Sequence, residues 1–493
     1  MKSKSRLAWA ALASASLIIA ACGGDDSSSS DSPSTEAPAA TNAPSETDAP
    51  ADTEAPAEER TASDTGITAD TIKIGVAVSD LAAIRAVGIS VPETLTTEHL
   101  FDRYQVFVDD INEAGGINGR MIELTQVVWN PLDQSTFDTL CAAATIDNEL
   151  FAVMNGTGLS AIARRCLFDS GMIIMYGDVM SQSEFDTGLA IGLAPPSEAV
   201  AAAGARAWIE STDAPAGSVV GVLSNNGPSI QPAGEAAKAV LEEAGFEVIL
   251  IELNSQSGDN AAISEEGAAA VGAFQAEGAV HALLTTPFTE NQGFWNSAAE
   301  AKFPFSLLDS SSSGCSAFGL SRVAAAAYGT ECITAYDHST DGTSLREDSE
   351  FEAACRANFD ENFEAYYGGK SYPGVPAGQI IVDANGKQLV SDYTPQECAL
   401  MNILKLGLEG AGVNPTRASF VDAVLNLGEV PLALAGGGTG LFAPDKPYAA
   451  NAVHTVRITG ADPSVAPDAN GLYNGCAAPI ACGIVISDWV SIR

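Results

Sequence analysis

The sequence predicts an α/β fold built as two consecutive units of parallel sheet. Short apolar runs alternate with amphipathic stretches that end near glycine, strand-helix-strand order requires crossovers that make a sheet parallel, and the whole pattern restarts after Pro196. In the first run Ile72, Ile74, Val76 and Val78 alternate against Lys73, Gly75, Ala77 and Ser79, the period of a strand. From Glu98 to Glu113, Leu100, Tyr104, Phe107, Val108 and Ile111 recur at helical spacing, and Gly115-Gly116 stop the helix. Asn118-Gly119 makes a tight turn into a strand over Met121 to Trp129. A helix over Gln134 to Asn148, a strand over Phe151 to Asn155, a helix over Ser160 to Asp169 and a strand over Met172 to Tyr176 complete the first unit. In the second unit, helices over Ser197 to Glu210, Gln231 to Ala244, Ile263 to Ala276 and Asn291 to Lys302 interleave with strands over Ser218 to Ser224, Glu247 to Leu253, Val280 to Thr285 and Phe305 to Leu308. Mainly helical segments follow, Glu350 to Tyr366, Pro395 to Gly410 and Thr416 to Leu427, and the tail from Gly440 is strand-like.

The start of the chain is of another kind. Lys2, Lys4 and Arg6 precede an apolar stretch, Leu7 to Ala21, too short for the roughly 20 residues that a bilayer core needs. Ile19-Ala20-Ala21-Cys22 resembles the lipobox of bacterial lipoproteins, which implies a signal peptide over residues 1–21, a lipidated Cys22 and a protein held outside the cytoplasm at the cell membrane. Residues 22–66 are too poor in apolar side chains to bury a core and read as a disordered acidic tether. A flexible coil of that length spans roughly 35 to 40 Å.

The chain has 493 residues and a formal charge of -40, from 63 acidic and 23 basic residues. That balance argues against nucleic acid and against electrostatic adhesion to anionic lipid, and a solvated acidic surface accounts for it. Nine cysteines become eight once Cys22 is lipidated, and an even count in an exported protein reads as disulfides. Pairing of sequence neighbours suggests Cys141 with Cys166, Cys315 with Cys332, Cys355 with Cys398, and Cys476 with Cys482. No Cys-x-x-Cys occurs and the four histidines are scattered, so no metal centre and no cofactor is expected.

Ile67-Thr68-Ala69-Asp70-Thr71-Ile72-Lys73-Ile74-Gly75-Val76 and Val108-Asp109-Asp110-Ile111-Asn112-Glu113-Ala114-Gly115-Gly116-Ile117-Asn118-Gly119-Arg120 resemble the opening of type I periplasmic binding proteins. Within that group the likeness is to the Leu/Ile/Val-binding proteins of ABC importers. It is strongest over residues 67–177, extends to 308, and returns over Pro395 to Gly412. The resemblance implies two doubly wound Rossmann-like lobes joined by a three-stranded hinge, with lobe I over 67–194 plus 338–432 and lobe II over 195–337 plus 433–493. It also implies a small-molecule ligand, an amino acid or related amide, and a permease partner in the same membrane.

Doubly wound sheets bind ligands beyond their strand ends, where loops and helix N-termini carry unpaired donors. In the first lobe these ends are Ser79-Asp80, Asn155-Gly156-Thr157-Gly158 with Ser160, and Tyr176-Gly177-Asp178; the loops at 157–160 and 176–178 match those that hold an amino acid's carboxylate and ammonium in the family. In the second they are Asn225-Asn226, Thr285-Thr286 and Asp309, and an ammonium would need a carboxylate such as Asp178, Glu290 or Asp309. Each of these residue types also serves as a turn-former or helix cap.

Other signals point away from catalysis. Gly436 to Gly440 lacks the Lys-Ser or Lys-Thr of a phosphate loop and reads as a crossing between lobes, and Gly156-Thr157-Gly158 lacks the third glycine of a dinucleotide site. Asp337 to Asp348 imitates a calcium loop only in part, and no serine elbow or Cys-His arrangement stands out. A solute-binding protein is therefore expected, with a ligand-sensing surface receptor of the same fold as the alternative and a secreted hydrolase behind it.

Overall fold

A computed structural model of the protein describes residues 59–86, 96–156, 158–255, 259–286, 288–308, 329–337, 339–340, 348–362, 380–382, 388–390, 395–460, 472–473, 476–477 and 481–492. Strands β1 Thr71–Ser79, β2 Met121–Trp129, β3 Ala152–Asn155, β4 Ile173–Tyr176 and β5 Ala190–Gly192 form a first sheet in the order β2-β1-β3-β4-β5, parallel throughout. Ile72, Ile74, Val76 and Val78 of β1 are buried in one core cluster, and Ala77 joins another with Val127 and Val153. Both faces are thus covered, as a parallel sheet requires.

Local chemistry sets this geometry. The helix Thr97–Glu113 starts in a capping box, with Thr96 and His99 each bonding the other's backbone N–H. It ends at Gly115 and Gly116, and a Cβ on Gly116 would lie 2.0 Å from the Arg120 carbonyl oxygen. Asn118 and Gly119 both take positive φ, 50° and 78°, which turns the chain tightly so that Ile117 and Arg120 pair. The glycine- and asparagine-rich run that carried the family resemblance is therefore the mould of one helix-to-strand corner.

In the second sheet β6 Val219–Asn225, β7 Glu247–Leu253, β8 His281–Leu284, β9 Phe305–Leu308 and β10 Glu331–Thr334 lie in the order β7-β6-β8-β9-β10, again parallel. This repeats the winding of the first sheet strand for strand. Beyond β10 the sheet continues with Ala452–Gly460, antiparallel to β10, Ala481–Val485, antiparallel to Ala452–Gly460, and Ser339–Thr340 at its edge, parallel to Ala481–Val485.

Three short segments join the halves. Leu193–Pro196 leads from β5 to the helix Ser197–Ser211, whose Val200 and Trp208 pack with Val220 and Leu283 of the second sheet. Ala335–Asp337 follows β10, with Tyr336 in the first core; Ser339–Thr340 then pairs with the second sheet before the helix Glu350–Asn362, whose Cys355 and Phe359 lie in the first core. Ala449–Asn451 returns to the second sheet, and its Ala450 N–H donates to the Leu193 carbonyl at 2.9 Å, so the first and third segments run side by side.

Here the structure corrects the sequence reading. Gly436 to Gly440 is not the third crossing: Gly436–Gly438 is a short 3-10 turn into the strand Thr439–Leu441, which pairs with Glu429–Pro431. Leu434, Phe442 and Ala449 are buried in the first core, so the return to the second half comes at Ala452 rather than at residue 433. Ser339–Thr340, assigned to the first lobe, pairs with the second sheet. The glycines serve packing, since a Cβ on Gly436 would fall 2.5 Å from the Trp489 indole.

Candidate functional site

In both sheets the winding reverses between the first strand and the third, β1 and β3 or β6 and β8, and that point opens a crevice at the carboxyl ends of the strands. Ser79-Asp80 and Gly156 lie at the first reversal, Asn225 and Thr285-Thr286 at the second. Thr157, Asp309 and the Glu290 side chain lie outside the described residues.

Several expected ligand groups are engaged by the protein itself. The Asp80 carboxylate accepts from the Ala82 and Ala83 N–H groups, each at 3.0 Å, and the Ser160 hydroxyl accepts from the Ala163 N–H at 3.2 Å. Both cap helices. The Ser79 carbonyl accepts from the Thr97 hydroxyl at 3.1 Å. Asn155, one of the expected strand-end residues, ties the crevice together: its amide donates to the Ala77 carbonyl at 2.6 Å and accepts from the Leu159 N–H at 3.2 Å.

Gly156 and Gly177 stack with backbones in contact, so that a Cβ on Gly177 would lie 2.2 Å from the Gly156 oxygen. The Tyr336 hydroxyl, from the second crossing, donates to the Gly177 carbonyl. Tyr176 is buried and donates to the Leu159 carbonyl at 3.2 Å, with the Arg164 guanidinium 4.4 Å from its ring centre. Burial drives its hydroxyl well above the ordinary range, against the pull of Arg164. Asp178 is buried too, with the Val179 N–H on its carboxylate at 2.9 Å.

In the second lobe Asn225 accepts from the Gly227 N–H at 2.9 Å, and Asn226 is exposed and bonds Asn254 at 3.1 Å. The Thr285 hydroxyl donates to the Leu223 carbonyl at 3.3 Å, and Thr286 is paired with Asn291. The lobes meet through groups that sequence reasoning missed. Arg164 and Glu184 form a buried ion pair at 2.8 Å, and the Ser229 hydroxyl of the second lobe bonds both.

A second missed group sits at the end of β3. Arg103 and Glu397 are 4% and 7% exposed, and Tyr104, 2% exposed, places its hydroxyl where a Cβ on Gly156 would come within 3.1 Å. Burial pushes the Glu397 carboxyl up to about 8, although Arg103 pulls it down. Burial, reinforced by Glu397, raises the Tyr104 hydroxyl well above its ordinary value.

No protein-family model matches the chain, and no curated protein matches it. Solved structures do. A fatty acid ABC transporter substrate-binding protein from Thermomonospora curvata aligns with a TM-score of 0.57 at 16% identity, covering 87% of this chain and 95% of that one. A solute-binding protein of an ABC transporter from Rhodopseudomonas palustris, in complex with p-hydroxybenzoic acid, aligns at 0.57 and 12% identity over 86% and 98%. An ABC transporter substrate-binding protein from Desulfitobacterium hafniense in complex with Leu aligns at 0.51 and 13% identity over 79% and 97%. The chain has the type I periplasmic binding protein fold.

An open concavity of about 620 Å³ lies at the amino ends of β8 to β10, away from the second reversal point, around His281, Phe305 and Glu331. Cys141 is bonded to Cys166 and Cys355 to Cys398, as neighbour pairing suggested. Cys332 is also in a disulfide; Cys315 and the side chains of Cys476 and Cys482 lie outside the described residues. Most of the calcium-like segment does as well, and its Asp348 is held by Arg356 in a two-bond pair at 2.6 and 2.9 Å. Among the described residues no helix is long and apolar enough to cross a membrane, and no cluster of metal-ligating side chains forms.

Proposed function

We propose that this protein is the extracytoplasmic solute-binding lipoprotein of an ABC importer, tethered through Cys22. It captures a small solute, an amino acid or related amide, by closure of its lobes over the crevice and presents the closed form to a permease. Two parallel sheets of identical winding, joined by three short crossings and meeting at their reversal points, carry this reading. Such a geometry lets one solute touch loops of both lobes, so binding favours the closed form by the difference in contacts between the two states. The solved relatives in fold are substrate-binding proteins, one holding Leu and another p-hydroxybenzoic acid.

Within the crevice the backbone around Gly156 and Gly177, with Ser79, Asp80, Ser160, Tyr176 and Asp178, would face the solute from lobe I. Asn225, Asn226, Thr285 and Thr286 would face it from lobe II. Thr157 and Asp309 complete the set proposed from sequence. A thermal-shift screen of the mature protein against L-amino acids, their amides and hydroxybenzoates tests the function. At a hundredfold excess over Kd a bound solute adds about 2.7 kcal/mol to stability, so a true ligand raises the melting temperature by several degrees. No rise with any solute would refute the reading. Cys22→Ala tests the anchor, and the protein should then leave the membrane fraction for the medium.

A further inference from the structure

Arg103 and Glu397 are a guanidinium and a carboxyl both buried in the first lobe, yet no ion pair joins them among the described residues. The Arg103 Nε and Nη2 atoms and the Glu397 Oε2 atom are buried without a hydrogen-bond partner. Arg103 follows Leu100 and precedes Phe107 on the apolar stripe of its helix, and Glu397 sits in the first turn of the helix Pro395–Gly410, held by the neighbouring Cys355–Cys398 bond. Gly156 lies beside Glu397 and Tyr104: a Cβ there would be 3.1 Å from the Tyr104 hydroxyl and 3.4 Å from Glu397 Cγ.

A pair retained only for structure would close on itself, because a guanidinium and a carboxylate in contact satisfy each other with two parallel bonds. Here the side-on fork of Arg103, Nε with Nη2, is the part left open, and its two N–H groups match the two oxygens of a carboxylate. The Glu397 oxygen left open beside it accepts from an N–H or O–H group. Glu397 lies beside Gly156, at the strand reversal where doubly wound sheets bind ligands, and Arg103 is near enough to act on its carboxyl.

We infer that Arg103 and Glu397 grip the polar ends of the solute, Arg103 its carboxylate and Glu397 a hydrogen-bond donor on the same molecule. The inference rests on the solute-binding reading above and narrows it to small acids that also carry an ammonium or hydroxyl, such as α-amino acids and hydroxybenzoates. Tyr104 and the Gly156 backbone wall the site beside Glu397. A solute lacking the carboxylate leaves the buried guanidinium unmatched, and that sets the selectivity.

Calorimetric titration of the full mature protein with L-leucine, L-leucinamide, 4-hydroxybenzoate and 4-hydroxybenzamide tests this. The unmodified protein should bind at least one acid about thirtyfold or more tighter than its amide. In Arg103→Met that preference should collapse through loss of acid affinity, with Arg103→Lys, which keeps the charge but loses the fork, in between. The double variant Arg103→Met with Glu397→Gln leaves no lone buried charge and guards against a folding defect. If that variant melts cooperatively and still prefers the acid, or if acid and amide bind the unmodified protein alike, the inference fails while solute binding stands. Binding of solutes without a carboxylate, and none with one, overturns it equally. Failure of every solute in the wider screen removes the functional reading, and this inference with it.

Discussion

Ser229 donates a hydrogen bond to Glu184 at 2.7 Å, linking the loop after β6 in one lobe to the short helix Gln182–Phe185 in the other. The same hydroxyl accepts from Arg164 at 3.0 Å, and the Ser229 carbonyl accepts from Ser197 at 2.6 Å, which fixes it to the start of the hinge helix. Burial would raise the Glu184 carboxyl, but the Arg164 charge and the bonds from Arg164, Ser181 and Ser229 hold it below the usual carboxylate range. Glu184 is therefore ionised, and its bond to Ser229 is charge-assisted, worth about 1.5 to 3 kcal/mol. Ser229→Ala should open the lobes in small-angle scattering and speed solute release about tenfold or more. An unchanged radius and off-rate would rule out this latch. Arg164→Met should behave differently, because it strands a buried carboxylate; a stability loss of about 3 to 5 kcal/mol is expected in thermal melts.

The two crevice glycines should differ sharply on substitution. Gly177→Ala drives a methyl to 2.2 Å from the Gly156 oxygen, backbone against backbone, and neither strand end can retreat without breaking the sheet. A loss of about 3 kcal/mol or more is expected. Gly156→Ala meets the Tyr104 hydroxyl at 3.1 Å and the Glu397 side chain at 3.4 Å, contacts that a rotamer adjustment relieves. It should fold with under about 1 kcal/mol lost yet bind solute more weakly, since the methyl fills the space between those groups. Equal melting temperatures for the two variants would contradict this account of the packing.

The strands and helices around the crevice were legible because each carries its period in the side chains. β2 spans Met121–Trp129 and β7 spans Glu247–Leu253, the same residues that alternation and apolar content mark. Strand ends then located the crevice, but not which groups in it stay free. Asp80 and Ser160 read equally well as caps or as ligand contacts, and the structure uses both as caps. Arg103 and Glu397 were missed because a charge on a helix is ordinarily a solvated one. The signal was in the spacing: Arg103 stands three residues after Leu100 and four before Phe107, and Glu397 stands three before Leu400 and four before Met401, so each charge falls on an apolar stripe. Ser229 carried no such mark, since a contact between lobes has no local period.

The response to pH follows from groups that titrate in opposite senses. Folding raises the Glu397 carboxyl from about 4.5 to about 8, so between those values the folded protein holds a proton that the unfolded chain releases. Stability therefore falls as pH rises through that window. Burial lowers His281 from 6.5 to about 4, so below 6.5 the unfolded chain takes up a proton that the folded protein refuses, and stability falls as pH drops. Below 6.5 the Glu397 slope is opposed by that of His281, joined by His454, whose imidazole burial also lowers; between 6.5 and 8 the Glu397 slope acts without them. Glu397→Gln should flatten the decline between pH 6.5 and 8 relative to the unmodified protein, a difference on the order of 2 kcal/mol. Parallel denaturation curves at every pH would show that Glu397 is not buried as an acid.

Two of the disulfides should separate stability from recognition. Cys141–Cys166 ties the helices Ser135–Ala142 and Ala161–Asp169, and Cys355–Cys398 ties Glu350–Asn362 to Pro395–Gly410. With sequence separations of 25 and 43, chain entropy alone gives about 3.5 and about 4 kcal/mol, so loss of either bond should lower the melting temperature to a similar degree. Their neighbours differ. Cys398 adjoins Glu397 in the first turn of its helix, so freeing it loosens the carboxylate that faces the strand reversal, whereas Cys141 lies in the core cluster on the opposite face of the sheet. Serine pairs at 355 and 398 should weaken binding of a carboxylate solute beyond what their stability loss accounts for, and serine pairs at 141 and 166 should leave affinity intact below their melting transition. Calorimetry on both pairs decides: equal affinities would mean that the helix start holds Glu397 in place without its covalent tie.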